Sequence, residues 1–295
     1  MKTYTRKGEW LELTLGPDRT GLPAIEALSG LLPAGFAKKL IDTDGVRIQG
    51  AKMRLRLFPE ETDRYADEWA DDWREVEVLY EDDFCLVVGK PAGMAVHPAS
   101  SGQRGTLAHA VAGYYACKGE RCRVRHIHRL DEQTTGPVLY AKNELAQLVF
   151  DEAMRRKAIG RTYIAFVSGS VRDRTGTVDA PIGKDRHHGS KRRVSRNGDP
   201  AVTHYERLEA LGSVSLVKLR LETGRTHQIR VHMSHLGHPL LGDVLYGGPD
   251  KLIGRQALHG AALSFGHPLT GEEVKVEAAW PDDLLELYRK LKRDK

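Results

Sequence analysis

The chain has 295 residues, of which 40% are hydrophobic and 29% are Asp, Glu, Lys or Arg. This length allows one large domain or two smaller ones, and no apolar run is long enough to span a bilayer. The net charge of +5 permits binding to a polyanion without establishing it. Glu9 and Trp10 follow the basic start of the chain, where a signal peptide would need an apolar stretch. We therefore expect a cytoplasmic protein without a membrane partner.

Residues 1–59 predict a small, basic α/β unit, called the N-terminal unit below. Short helices are expected over residues 25–28 and 36–41, and short strands over residues 46–48 and 55–57. Basic side chains are frequent in this unit. They are Lys38, Lys39, Arg47, Lys52, Arg54 and Arg56.

Residues 60–75 are strongly acidic, with eight Asp and Glu residues against Arg64 and Arg74. Trp69 and Trp73 lie four positions apart, so a short helix could dock both indoles on one neighbouring surface. We prefer a linker with one packed turn, which would separate the N-terminal unit from a larger domain over residues 76–295.

The larger domain begins with a mixed pattern of strands and helices. Strands are expected over residues 76–80 and 84–88, on either side of an acidic turn. Asn143 is a plausible N-cap for a helix that runs to residue 159. Gly160 would end that helix, since glycine is common just past a helix C-terminus.

Two further strands and one helix are expected later in the domain. Residues 162–167 are apolar on both faces, which is typical of a central, buried strand. Residues 217–221 alternate between apolar and charged, which predicts a half-exposed strand. After a turn at Gly224, a helix is expected over residues 226–236, with Gly237 and Pro239 ending it.

The three cysteines, Cys85, Cys117 and Cys122, are too few for a disulfide framework, and their odd number argues against one. A zinc site could be drawn from the last two cysteines and nearby histidines. Those histidines are His109, His126 and His128. A structural zinc site needs four ligands in paired short spacings, so we interpret the cysteines as free thiols.

Several sequence segments carry the chemistry. One contains His128-Arg129-Leu130-Asp131, and another contains Gly224-Arg225-Thr226-His227-Gln228-Ile229-Arg230. The full set covers residues 78–98, 128–136, 162–169 and 224–247, with a weaker fifth segment over residues 258–271. In order and separation these segments resemble the RluA-type family of RNA pseudouridine synthases, over residues 76–281. Thr135 and Gly89 depart from the family pattern, where serine and asparagine are frequent.

The resemblance implies an α+β fold. It would have a mixed, mainly antiparallel β-sheet catalytic domain, flanking helices and a central active-site cleft. The N-terminal unit resembles the small basic module fused to many of these enzymes. The implied reaction breaks the N-glycosidic bond of uridine, rotates the uracil and re-forms the link through carbon. It needs no metal or cofactor.

Asp131 precedes a tight loop that ends at Gly136, where a glycine conformation is expected. A lone aspartate is more often a turn cap or a surface charge, but the resemblance makes Asp131 the catalytic carboxylate. Its first chemical step stays open among attack on the anomeric carbon, attack on the uracil ring and removal of a ribose proton.

Arg230 would by itself be read as a solvated charge on a helix face shared with His227 and Ser234. The resemblance pairs Arg230 with Asp131, and a guanidinium would keep a buried carboxylate ionised and oriented. Tyr163 and Leu258 would by themselves be core residues. The resemblance places both of them against the target base.

Arg129 is implied to enter the RNA stack in place of the extruded base, since an enzyme that acts on a paired base must first take it out of the stack. We also expect His128, Arg225 and His227 to bind the substrate. A monomer is expected, and no DNA substrate.

Basic residues are dense between positions 184 and 196, and a phosphate-contacting mobile loop is expected there. They are Lys184, Arg186, His187, His188, Lys191, Arg192, Arg193 and Arg196. RNA is therefore the expected partner, with ribosomal RNA ahead of transfer RNA by family habit.

The sequence also admits two other classes of function. A metal-dependent hydrolase could use the crowded histidines His227, His232, His235 and His238, but a helix would scatter them and no His-Glu-x-x-His spacing occurs. A noncatalytic RNA-binding module would have no need for a buried carboxylate among phosphates.

Overall fold

A computed structural model describes residues 4–65 and 75–293 of the chain. Trp69 and Trp73 lie outside the described residues, and so does most of the predicted acidic linker. Within the described ranges the strand pairings of the four sheets are antiparallel, and helices flank the sheets. This confirms the predicted α+β class. In the same ranges, no helix has both the length and the apolar character needed to cross a membrane.

The N-terminal unit is a four-stranded sheet with two helices. Its elements are β1 (Tyr4–Lys7), β2 (Trp10–Thr14), α1 (Ala24–Ala27), α2 (Ala34–Asp42), β3 (Val46–Gln49) and β4 (Lys52–Arg56). The strand order is β1-β2-β4-β3. The two predicted helices and two predicted strands are present, with shifted ends. The sequence patterns missed β1 and β2. In β1, charged and exposed side chains hide the alternation of apolar and polar residues that is typical of a strand.

The N-terminal unit shares a hydrophobic core with the larger domain. Leu28 and Phe36 of its helices belong to the same buried cluster as Phe84, Phe150 and Phe265. Burying apolar side chains together is the main force that holds such elements in place. An ion pair between Lys39 and Glu144, 2.6 Å long, crosses the same boundary.

The first sheet of the larger domain has the order β5-β6-β8-β7. Its elements, with two helices, are β5 (Glu77–Glu81), β6 (Cys85–Lys90), α3 (Leu107–Cys117), β7 (Arg125–His126), β8 (Gly136–Ala141) and α4 (Glu144–Arg155). The Asn143 side chain accepts a hydrogen bond from the backbone N–H of Ala146 at 2.9 Å, which confirms the N-cap. The predicted end of α4 was wrong: the helix stops at Arg155 because Lys157 is left-handed, with φ of 57°. Gly160 instead begins the next strand.

The second sheet has six strands, and the remaining elements surround it. They are β9 (Gly160–Ser168), β10 (Thr175–Asp179), β11 (Ile182–Lys184), β12 (Arg192–Val194), β13 (Val202–Leu211), β14 (Val214–Leu221), α5 (Gln228–His235), a 3₁₀ turn (Val244–Tyr246), β15 (Leu258–Gly266), β16 (Glu273–Glu277) and α6 (Asp282–Arg293). The order is β10-β13-β14-β9-β15-β16, so β9 is central and buried, as predicted.

The basic segment over residues 184–196 is more ordered than a free loop. Its ends pair as β11 and β12 in a two-stranded hairpin. The backbone N–H of Arg192 donates to the Tyr246 hydroxyl at 2.9 Å, which ties this hairpin to the rest of the domain. The loop expected over residues 184–196 is therefore limited to the tip of this hairpin.

The four-stranded and six-stranded sheets of the larger domain meet at one seam. The backbone N–H of Gly260 donates to the carbonyl of Thr135 at 2.8 Å, and Thr135 forms a parallel bridge with His259. Gly136 has φ of +129°, and a Cβ there would lie 2.4 Å from the Gly260 carbonyl oxygen. Only glycine fits this approach. The loop that carries Asp131 therefore ends at the junction of both sheets.

Candidate active site

A cavity of about 320 Å³ opens where the Asp131 loop, β9, β15 and the start of α5 meet. The eight side chains that the sequence nominated for catalysis or substrate binding all line it. They are His128, Arg129, Asp131, Tyr163, Arg225, His227, Arg230 and Leu258. They come from segments up to about 130 positions apart in the sequence, and the fold brings them to one place.

Asp131 and Arg230 form the central ion pair of the cavity. Nη1 of Arg230 donates to Oδ2 of Asp131 at 3.2 Å. The Arg230 side chain is 8% exposed and that of Asp131 is 24% exposed. Arg230 is thus a buried partner of the carboxylate and not a solvated charge on a helix.

Asp243 holds Arg230 from the other side. Nε and Nη2 of Arg230 donate to the two carboxylate oxygens of Asp243 at 2.7 and 2.8 Å. Burial opposes the charge on Arg230, but the hydrogen bonds and charges of Asp243 and Asp131 outweigh it and raise the pKa of the guanidinium. Arg230 is therefore a fixed, permanent cation. Asp243 lies within a matched segment, but only the folded structure gives it this role.

The start of α5 differs from its prediction. The helix begins at Gln228, because His227 is left-handed with φ of 58°. His227 consequently leaves the helix face of Arg230 and Ser234. Its Nδ1 lies 2.9 Å from the Tyr246 hydroxyl, and its Nε2 lies 4.0 Å from Oδ2 of Asp131. Burial and the charge of Arg230 lower the pKa of His227 against the opposing charge of Asp131, so the imidazole is neutral at physiological pH.

Tyr163 and Leu258 supply an apolar wall beside the ion pair. Tyr163 lies on β9 and is 6% exposed, while Leu258 begins β15 and is 4% exposed. The two strands are neighbours, with Leu258 opposite Ala165 and Gly260 opposite Tyr163. Burial raises the pKa of the Tyr163 phenol, so its hydroxyl stays protonated. A ring and a branched side chain suit the faces of a flat base.

Arg129 and Arg225 lie at the rim of the cavity. Arg129 is exposed, and its Nη2 donates to Oγ1 of Thr226 at 2.9 Å. Nε of Arg225 donates to the carbonyl of Pro200 at 3.0 Å. Both guanidinium groups keep further donors for a ligand, because each has five N–H groups.

His128 differs from the rim residues because it is buried. Its Nε2 accepts a hydrogen bond from the backbone N–H of Leu139 at 3.3 Å, which fixes the ring against β8. Burial lowers the pKa of His128 to about 3. The side chain is therefore a neutral part of the cavity wall at physiological pH.

Lys90 is a supporting residue that the sequence patterns did not single out. Its Nζ donates to the carbonyls of Pro91, Met94 and Glu132 at 2.7–2.8 Å, so it ties the loop after β6 to the loop of Asp131. Burial lowers the pKa of Lys90 to about 7, against the charges of Asp131 and Glu132. Its signal in the sequence was the Lys-Pro pair inside the first matched segment.

The histidines considered for a metal site have separate partners. His232 bonds Thr203 and the carbonyl of Ala180, and His238 bonds the carbonyl of Ser168. Throughout the described residues, no group of three or more His, Cys, Asp or Glu side chains could hold a metal ion. The hydrolase alternative therefore lacks a ligand set in this part of the chain.

Comparisons with known proteins agree on one family. A family model described as RNA pseudouridylate synthase matches residues 84–235. An uncharacterized RNA pseudouridine synthase of Bacillus subtilis, YhcT, is 46% identical, over 79% of this chain and 78% of that protein. Ribosomal large subunit pseudouridine synthase D of Haemophilus ducreyi is 35% identical, over 96% of this chain and 95% of that protein. The solved structure of human RNA pseudouridylate synthase domain containing 4 has a TM-score of 0.60 and 25% identity, over 73% of this chain and 93% of that one.

Proposed function

This chain belongs to the RNA pseudouridylate synthase family and is an RNA pseudouridine synthase of the RluA type, and we propose that Asp131 is its catalytic carboxylate. One observation carries this proposal. Asp131 is an accessible carboxylate in a cavity, held by a buried arginine that is itself fixed by Asp243. A guanidinium that is fixed in this way holds the carboxylate in one orientation.

The overall reaction is an isomerisation, so atoms balance within the nucleotide. The bond between N1 of uracil and the ribose breaks, the uracil turns, and a bond forms between C5 and the same anomeric carbon. The hydrogen on C5 is lost and N1 gains one. Asp131 would act at the anomeric carbon, at the uracil ring or on a ribose proton.

The other side chains support a flipped base. Tyr163 and Leu258 would contact the faces of the uracil, while His227 stays neutral beside Asp131. Arg129 would fill the gap that the base leaves in the RNA stack. Removing a base from a stack costs about a few kcal/mol, which such a replacement partly offsets.

Structured ribosomal RNA is the proposed substrate. The support is the name of several relatives, such as ribosomal large subunit pseudouridine synthase D of Haemophilus ducreyi, which matches nearly the whole chain. The tip of the β11–β12 hairpin and the N-terminal unit would add phosphate contacts through their basic residues. We also propose that the enzyme works in the cytoplasm. We propose that it is a monomer, since one chain supplies every residue named in the cavity.

Pseudouridine mapping tests this function. Total RNA from cells with and without the gene would be compared, and the gene would then be restored as wild type or as Asp131→Asn. We expect specific pseudouridines to be lost from ribosomal RNA and recovered only with the wild-type gene. A loss confined to transfer RNA would contradict the proposed substrate, and recovery with Asp131→Asn would contradict the proposed catalytic residue.

A further inference from the structure

Arg161 is a buried cation that lines the active-site cavity and has no counter-ion among residues 4–65 and 75–293. It is the second residue of β9, two positions before Tyr163, so both side chains leave the same face of the strand. The residue is 8% exposed. Its guanidinium makes no hydrogen bond and no ion pair with any residue in the described ranges, and its Nε is buried without a partner.

By itself, such an arrangement is unfavourable for the folded protein. Moving a charge out of water destabilises the folded state unless an opposite charge or a full set of acceptors compensates. Elsewhere in this cavity that rule is obeyed, because Arg230 has both Asp131 and Asp243. Because Arg161 lacks this compensation, we expect its charge to be balanced by an anionic group of the bound ligand.

Gly224 makes room for this guanidinium. A Cβ at position 224 would lie 2.6 Å from Nη1 of Arg161, so any larger residue would displace the arginine. Gly224 belongs to the turn that leads into α5, next to Arg225 and Thr226. Arg129 contacts the same turn through Thr226. The guanidinium of Arg161 thus shares the cavity with positive charges and polar groups.

We propose that Arg161 binds a phosphodiester that flanks the target uridine, and this inference rests on the function proposed above. A phosphate is the anion that an RNA substrate carries at every nucleotide. The planar guanidinium matches its oxygens with two parallel N–H groups. A neutral uracil carbonyl would accept a hydrogen bond but would not compensate the buried charge. The surrounding cations, Arg129 and Arg225, favour the anion for the same electrostatic reason.

The first test asks whether Arg161 serves stability or binding. The thermal unfolding of Arg161→Met would be measured without RNA, beside the control Arg220→Met. Arg220 is exposed on β14 and opposite Thr162, on the other face of the sheet. We expect Arg161→Met to melt at the wild-type temperature or above it. A clear fall in its melting temperature, with none in the control, would mean that Arg161 is structural and would overturn the proposal.

The second test uses short RNAs that contain a uridine identified by pseudouridine mapping. In two of them, the phosphate on the 5′ or the 3′ side of that uridine is a neutral methylphosphonate. We expect one neutral linkage to lower kcat/KM of the wild type by about 10- to 100-fold, as for a hydrogen bond to a charged group. Arg161→Met should show the same loss on native RNA, mainly in KM, and no additional loss on the neutral RNA.

The outcomes separate the two proposals. If the wild type forms no pseudouridine in any RNA, the proposed function fails. If the wild type is active and the losses from Arg161→Met and from both neutral linkages are additive, only the phosphate assignment fails. Gly224→Ala provides a second variant that keeps the charge but moves it, and it should lose activity on native RNA more than on the neutral RNA.

Discussion

Arg230 contacts Asp131 with one guanidinium nitrogen and leaves the other carboxylate oxygen of Asp131 without a partner in the described residues. The contact runs from Nη1 to Oδ2 over 3.2 Å. Oδ1 therefore faces the cavity with no competing hydrogen bond there. A single contact orients the carboxylate, while a bidentate pair would occupy both oxygens.

Replacing Asp243 by Asn should damage both stability and catalysis. Asp243 is buried and neutralises Arg230, so its loss leaves a buried cation with only a partly exposed partner. Breaking a buried pair in this way costs about 3–5 kcal/mol of unfolding free energy. Urea unfolding and kcat would both be measured. Glu152→Gln, which removes an exposed partner of Arg155, serves as the control and should change neither. Unchanged kcat in Asp243→Asn would contradict the role given to Arg230.

Arg129→Ala should reduce turnover on a structured RNA far more than on a flexible single strand. Arg129 is exposed at the rim, so the substitution leaves the protein core intact. A paired base costs about a few kcal/mol to unstack, whereas a base in a flexible strand is already partly unstacked. Initial rates on both RNAs, with the same target uridine, provide the comparison. Equal losses on the two RNAs would refute a role in base extrusion.

Stability should fall as the pH drops below about 6.5, in part because of His128. Its pKa is about 3 in the folded protein, against an ordinary value of 6.5. Between these two pKa values, His128 is therefore protonated in the unfolded chain and neutral in the folded protein. The stability from the neutral ring is complete above the ordinary pKa and is lost as the pH falls.

The measurement is unfolding free energy between pH 5.5 and 4.5, for wild type and His128→Gln. Removing the titrating ring of His128 should make the decline of unfolding free energy with falling pH shallower by about 1.4 kcal/mol per pH unit. Substitution of the exposed His188 by Gln provides the matched control and should leave the slope unchanged. If unfolding free energy varied with pH equally in His128→Gln and in the wild type, the lowered pKa of His128 in the folded protein would be contradicted.

The sequence predicted which side chains line the cavity better than it predicted the residues that hold them in place. Motif order identified Asp131, Arg230, Tyr163 and Leu258, since the resemblance assigns their roles without reference to distance. It could not assign Asp243, because an aspartate becomes the partner of an arginine thirteen positions away only once α5 and the following turn have packed.

Local backbone geometry was also beyond the sequence patterns. The apolar run predicted the central position of β9 correctly, because a strand that is buried on both faces needs apolar side chains on both faces. The left-handed residues Lys157 and His227 shortened α4 and α5, and neither is the glycine that usually marks this conformation. Tertiary contacts, such as the one from His227 to Tyr246, stabilise a left-handed backbone conformation that a residue other than glycine disfavours locally.

The most direct test of the account is Asp131→Asn, measured for pseudouridine formation and for RNA binding on the same RNA. Asparagine is nearly isosteric and still accepts a hydrogen bond from Arg230, so the fold and RNA affinity should persist. We predict normal binding with no detectable pseudouridine. A variant that modified the RNA at the wild-type rate would contradict the assignment of Asp131 as the catalytic carboxylate.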